Sequence, residues 1–264
     1  MEIQDKYLSL EGKTAIVTGG AKGIGSGITE VMLEEGANVI CDYRSNPEYC
    51  EAFIQGLRDK YPGGQIYGVQ GDVSKPEDVK KIFDFAEEKF GRLDILINNA
   101  GNPGAGLKMI WEIPLDEWNY NIDNNMTGMF LMSTEFARRL MAENKGGRIV
   151  NLLSKASLTT TTKGHACYVT NKTGEMGLTK QLAVDLTDKG IICNGIMPGT
   201  VKNQNSKNLT EDDPRYKARI KRLPMGRYGE PYEFGKMVAF LASEECQLAV
   251  GSVVDFTGGM MLGF

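Results

Sequence analysis

Tyr168 and Lys172 stand four residues apart in the stretch Cys167–Lys189, whose pattern predicts a helix, so both side chains lie on one face. A tyrosine phenol ordinarily ionises near pH 10, too high for a base at neutral pH. A neighbouring ammonium stabilises the phenolate and lowers that value. The pair can then move a proton on or off an alcohol oxygen. Ser154, at the end of the predicted strand Arg148–Leu153, can donate a hydrogen bond to the same oxygen. Near the start of the chain, Thr18-Gly19-Gly20-Ala21-Lys22-Gly23-Ile24-Gly25 joins a predicted strand to a predicted helix. Glycine lets the backbone turn tightly and approach a pyrophosphate. The helix N-terminus behind it favours negative charge. The spacing is Gly-x3-Gly-x-Gly rather than the more familiar GxGxxG.

These residues need a scaffold, and short apolar runs alternate with helical segments along the chain. Strands are expected at Thr14–Thr18, Asn38–Cys41, Ile66–Val69, Leu93–Ile97, Arg148–Leu153, Ile191–Met197 and Ser252–Phe256. Helices are expected at Ile24–Glu35, Val79–Phe90, Trp118–Asn144, Cys167–Lys189 and Phe234–Ser243, the third irregular around Gly128. Continuous apolar strands alternating with helices imply an α/β, Rossmann-type, doubly wound fold: a seven-stranded parallel sheet with helices on both faces. The whole chain, 1–264, reads as one dinucleotide-binding and catalytic domain. Only Val201–Tyr232, polar and basic, breaks the rhythm, and residues 201–232 are expected to form a substrate lid after a strand end where such sheets bind ligands.

Composition narrows the function classes. Of 264 residues, 41% are hydrophobic and 24% charged, an ordinary globular balance. Thirty basic residues against 34 acidic ones leave a net charge of −4, with no basic excess to suggest nucleic acid or a membrane surface as partner. No apolar run approaches the ~18 residues of a membrane span, and the largely polar start Met1-Glu2-Ile3-Gln4-Asp5-Lys6 has no apolar signal core, so a soluble, cytoplasmic protein is expected. Five cysteines without a CxxC pair fit reduced thiols. A single histidine, His165, makes a His/Cys metal site improbable, and no metal is expected.

The glycine loop resembles the TGxxxGxG signature of the compact short-chain dehydrogenase/reductases. From about Leu10 to Gly259 the other landmarks follow in order. Asp72-Val73 resembles that family's adenine-contacting element, and Asn98-Asn99-Ala100-Gly101 its NNAG turn. Asn125 falls at its helix asparagine. Ser154, Tyr168 and Lys172 match its serine and YxxxK, and Pro198-Gly199 its PG turn. The resemblance implies a catalytic set of Asn125, Ser154, Tyr168 and Lys172. Lys172 would also hold the nicotinamide ribose, and Asn125 would support a proton-relay water. It implies cofactor contacts from Gly19, Lys22, Gly23, Ile24, Gly25, Asp42, Tyr43, Arg44, Asp72, Val73, Asn99, Ala100, Gly101, Tyr168, Lys172, Pro198, Gly199 and Val201. It also implies a homotetramer, with interfaces from the helices beginning near Trp118 and Cys167 and from the C-terminal strand. Asn171 stands where the family usually has Ser, and Asn203 where it often has a Thr that contacts the cofactor amide.

The cofactor choice turns on the second strand, which ends Cys41-Asp42-Tyr43-Arg44. An acid there bonds the ribose hydroxyls and repels a 2′-phosphate, whereas a nearby Arg accepts the phosphate. Counted from Gly36-Ala37, the selecting position falls on Tyr43. Arg44 and Lys22 therefore favour NADP, and a one-residue slip would bring Asp42 into play and favour NAD. The expected reaction is interconversion of a secondary alcohol and its ketone, with hydride carried by the cofactor. Met109, Trp111, Met197 and Met225 suggest a hydrophobic ketone or hydroxysteroid. A 3-oxoacyl thioester, a polyol or a sugar stays open as substrate. A lyase or epimerase relative, and a non-catalytic dinucleotide sensor, are the competing classes.

Overall fold

The computed structural model describes residue 8 and residues 10–101, 106–160, 162–202 and 213–262. Seven strands form one sheet: β1 (Thr14–Val17), β2 (Asn38–Tyr43), β3 (Ile66–Gln70), β4 (Ile95–Asn98), β5 (Gly147–Leu152), β6 (Ile191–Pro198) and β7 (Val253–Phe256). Their order is β3-β2-β1-β4-β5-β6-β7, and every pairing is parallel. This is the seven-stranded parallel sheet that the sequence implies, with helices on both faces.

Side-chain alternation divides the core. Ala15, Val17, Val39, Cys41, Ile97 and Val150 face α1 (Gly23–Glu34), α2 (Pro47–Lys60) and α8 (Pro231–Ala242). Ile16, Ile40, Leu96 and Ile149 face α3 (Pro76–Phe90), α5 (Gly128–Ala142) and α6 (Ala166–Leu186). With both faces covered, the strands must be apolar throughout, and β1 and β4 are buried at every position.

Two helical segments depart from the sequence reading. The pattern omits α2, which is short of apolar residues and buries only Cys50, Ile54 and Leu57; Pro47 opens it, and Arg58 and Lys60 lie in its last turn. The expected helix Trp118–Asn144 is in fact α4 (Leu115–Ile122) and α5, separated by a π-helical turn at Asp123–Thr127. Three asparagines account for the irregularity, because their amides bond back to main-chain carbonyls. Asn121 Nδ2 donates to Glu117 O, Asn124 Nδ2 to Tyr120 O and Asn125 Nδ2 to Asn121 O, at 2.7–2.8 Å. Such side chains compete with the regular helix ladder, and single π turns recur at functional sites.

Strand order reverses between β1 and β4, which opens a crevice beyond their carboxyl ends. Of the expected lid, Val201 pairs with Gly229 at its base, and α7 (Pro214–Ile220) lies within it. Residues 203–212 lie outside the described residues.

Candidate active site

The crevice is a cleft of about 380 Å³ whose walls come from the loops after four strands. Gly19, Lys22 and Ile24 follow β1; Asp42, Tyr43 and Arg44 end β2; Asp72 and Val73 follow β3; and Asn99, Ala100 and Gly101 follow β4. Eleven residues selected from scattered motifs thus share one cavity.

Backbone approach shapes the glycine-loop end. Gly19 has φ +60°, a left-handed conformation that suits glycine. A Cβ on Gly25 would lie 2.3 Å from the Gly19 carbonyl oxygen and 2.5 Å from Asn99 Nδ2. Gly23 and Gly25 therefore form the turn behind the cleft rather than its wall. Asn99 Nδ2 donates to the Thr18 and Gly19 carbonyls at 2.9 and 3.1 Å. Thr18 Oγ1 accepts from the Asn99 and Ala100 amides, both at 2.9 Å, tying the β1 and β4 loops together.

The acid and base at the β2 end have different surroundings. Asp42 is 2% exposed, its Oδ2 accepts from Gly19 N–H at 3.3 Å, and its Oδ1 is unpartnered. Burial, aided by nearby Asp72 and Asp78, pushes its carboxyl up to about 8 despite the Gly19 bond. Tyr43 turns the other way and donates its hydroxyl to Glu51 at 3.0 Å. Arg44 is half exposed, donates to Asn124 Oδ1 and lies 4.0 Å from Asp72 Oδ2. The Asp72 Oδ1 holds Ser74 through its amide (3.0 Å) and hydroxyl (2.7 Å). Lys22 sits over the Tyr49 ring, 5.2 Å from its centre.

Buried side chains cluster beyond Gly101, at the other end of the cleft wall. A Cβ on Gly101 would lie 2.9 Å from Asn125 Oδ1 and 3.8 Å from Lys172 Nζ, so the NNAG turn, the π turn and α6 meet there. Lys172 is 7% exposed, and its Nζ donates to the Leu152 carbonyl at 2.9 Å and to Glu175 Oε2 at 2.7 Å. Asn171 is fully buried, and its Nδ2 donates to the same Asn121 carbonyl that Asn125 holds. Tyr168, in the first turn of α6, is half-buried, with its ring centre 5.9 Å from that of His165 in an edge contact. Ser154 is buried after β5, and its Oγ accepts from Ala156 N–H at 3.1 Å.

Asn125, Ser154, Tyr168 and Lys172 lie beyond Gly101 and are not among the residues that line the cleft, and other expected residues also lie apart from its wall. Pro198 ends β6, and Gly199 borders a second cavity of about 480 Å³ with Met225 and Phe256. Val201 pairs with Gly229. Met197 is buried against Met129 and Leu153, so it is core and not a pocket wall. Asn203 lies outside the described residues. Sequence reasoning missed Asn124, which lines the cleft and holds Arg44, and Glu175. The Lys-x-x-Glu spacing, i to i+3 on a helix, was a legible sign of the second.

A dinucleotide fits this cleft on the chain's own features: a glycine loop too tight for a Cβ at Gly25, a helix N-terminus behind it, and cations at Lys22 and Arg44. Residues 19–261 match the family model described as enoyl-(acyl carrier protein) reductase. The chain belongs to the short-chain dehydrogenase/reductase family. It is 36% identical over 256 residues to glucose 1-dehydrogenase 2 of Bacillus subtilis, covering 97% of each chain. It is 34% identical over 255 residues to a 3-oxoacyl-(acyl-carrier-protein) reductase of Vibrio cholerae, covering 97% of this chain and all of that one. A solved structure of a candidate 2-deoxy-D-gluconate 3-dehydrogenase from Agrobacterium tumefaciens, with bound NADP, superposes with a TM-score of 0.83 at 31% identity, covering 96% of this chain and 98% of that one. The family binds NAD(P), and this member is an oxidoreductase acting on CH–OH groups. No helix among the described residues is long and apolar enough to cross a membrane.

Proposed function

We propose an NADP(H)-dependent oxidoreductase that interconverts a secondary alcohol and its ketone, with Tyr168 as acid and base. The observation that carries this reading is the convergence of Asn125 and Lys172 on Gly101, a residue of the cleft wall, with Lys172 one helical turn from Tyr168. When bound, the nicotinamide accepts or supplies the hydride. Tyr168 takes the alcohol proton in oxidation and returns it in reduction. The Lys172 ammonium stabilises the phenolate and holds the nicotinamide ribose. Ser154 already accepts from Ala156, and its hydroxyl proton is directed to the substrate oxygen. Asn125, anchored to the Asn121 carbonyl, supports a relay water. Gly23, Ile24 and Gly25 present the helix N-terminus to the pyrophosphate, and Asp72 and Val73 flank the adenine.

Arg44 and Lys22, the two cations lining the cleft, support NADP over NAD. Asp42, the acid that would repel that phosphate, is buried towards the Gly19 amide and holds a proton up to about pH 8. For the substrate, Leu107, Ile110 and Trp111 are exposed in the segment before α4, whose Lys108 pairs with His165, beside Tyr168. This apolar rim supports a hydrophobic ketone or hydroxysteroid. Similarity to glucose 1-dehydrogenase and to the 3-oxoacyl reductases favours a second reading, a sugar or an acyl thioester. Residues 201–232, closed at the base by Val201 and Gly229, would act as the lid. Exposed Tyr120, Phe130 and Val184 on α4, α5 and α6, and Leu248 before β7, support a homotetramer. The intact Ser154, Tyr168, Lys172 and Asn125 weigh against a non-catalytic sensor.

The test is a turnover screen by nicotinamide absorbance, offering steroid, sugar and 3-oxoacyl-thioester substrates with each cofactor. The expected result is turnover of one class, faster with NADP. Tyr168→Phe should lower kcat by roughly a thousandfold, within the range of acid–base catalysis, with NADP affinity nearly unchanged. A Tyr168→Phe protein as active as wild type overturns the mechanism.

A further inference from the structure

Glu175 is 1% exposed, and the proposed chemistry does not use it. Burial pushes its carboxyl up, while Lys172 pulls the other way through charge and a hydrogen bond. Lys172 is the only charged group acting appreciably on Glu175 among the described residues. A buried carboxylate is costly unless paired, so its place here, 2.7 Å from the ammonium, needs a purpose. The Leu152 carbonyl and Glu175 take two of the three Nζ protons. One proton is left, on a nitrogen 3.8 Å from where a Cβ on Gly101 of the cleft wall would stand.

We infer that Glu175 is a positioning residue: its carboxylate fixes the direction of the Lys172 ammonium and tempers the charge that Lys172 exerts on the Tyr168 phenol. The inference rests on the pairing of Tyr168 with Lys172 in the proposed mechanism. Glu175 lies seven residues beyond Tyr168, two turns along α6, so its charge acts at roughly 10 Å. Other groups around the pair are fewer or committed elsewhere. His165 meets the Tyr168 ring edge-on, and Lys108, on the loop before α4, is paired with Glu117. After β5 stands half-buried Lys155, and Asp123 of the π turn is exposed. On α5, Arg139 is bound to Glu135 and to Asp84 and Glu87 of α3. From β6 the Cys193 thiol, neutral because burial pushes it up, takes a bond from Asn151. Glu175 is thus the carboxylate in contact with Lys172.

The test follows the Tyr168 phenol directly, without a substrate. Protein labelled with carbon-13 at tyrosine Cζ is titrated with NADP bound. The Tyr168 resonance is identified by its loss in Tyr168→Phe. Glu175→Gln keeps an acceptor for Lys172 and removes the charge, so the phenol midpoint should fall by roughly half a pH unit to one. Glu175→Asp, which keeps the charge, should restore a near wild-type midpoint. Where the Gln protein does not fold, Glu175→Met, apolar and similar in length, carries the same test. An unchanged midpoint makes Glu175 a packing residue and overturns the inference. A raised midpoint also overturns it, since Glu175 would then serve to keep Lys172 charged. Lys172→Met serves as the separate control. If it leaves the midpoint in place, the Tyr168–Lys172 pairing itself fails, whatever Glu175 does.

Discussion

At the glycine-loop end of the cleft, the shape is set by main chain approaching main chain: Gly25 beneath the Gly19 carbonyl, and the β1 and β4 loops joined through Thr18 and Asn99. Beyond Gly101, around Lys172, the packing is set by buried side chains: Asn125 and Asn171 both hold the Asn121 carbonyl, and Lys172 holds the Leu152 carbonyl and Glu175. A main-chain cradle tolerates no added atom and has little to lose by truncation. A side-chain cradle is the reverse, because each removed group strands a buried partner.

The largest expected effect lies where an atom is added to the first cradle. Gly25→Ala places a methyl 2.3 Å from a backbone oxygen that cannot rotate away. Cofactor affinity should fall about thirtyfold or more, and Tm by several degrees, as for overpacking elsewhere. Titration calorimetry and a melting curve measure both, and wild-type affinity would show that the loop is not a rigid cradle. A smaller effect is expected at the cleft rim. Arg44→Ala should weaken NADP by about tenfold, the value of a charge-assisted bond, and leave NAD within about threefold. Equal losses for both cofactors would break the assignment of Arg44 to the 2′-phosphate.

The smallest effect tests the acid beneath the loop. Asp42 holds its proton up to about pH 8 in the folded protein and near 3.8 as an ordinary carboxyl. Between these values the folded state carries the extra proton, so stability declines as pH rises from about 4 to 8. Asp42→Asn removes that decline while keeping an acceptor for Gly19 N–H. Its Tm advantage should be small at pH 5 and a few degrees at pH 8. An advantage that does not change with pH would mean that Asp42 is ionised in the fold.

The glycine loop, the NNAG turn and the Tyr168–Lys172 spacing were legible because each is a local pattern, fixed by turn geometry or by the helical repeat. The strands were legible because a sheet covered on both faces needs unbroken apolar runs. The helix α2 was hidden by its polar composition. The π turn was hidden because it arises from three asparagine amides choosing carbonyls four residues back. Asn124 gave no sign of its reach to Arg44, 80 positions away. The competition between Asp42 and Tyr43 stayed open in the sequence, since a one-residue slip reverses faces. The register of β2 against β3, Asp42 opposite Val69 and Tyr43 opposite Gln70, sends the first beneath the glycine loop and the second towards Glu51.

The sequence by itself determined the family, through its motifs, and the order of the strands and most helices along the chain, through periodicity and composition. Tertiary structure alone decided which distant loops share the cleft, which acid loses its charge, and which carboxylate meets Lys172. Those outcomes depend on burial and on distances of a few ångströms between residues far apart in the chain, where solvent is excluded and each charge depends on its partner.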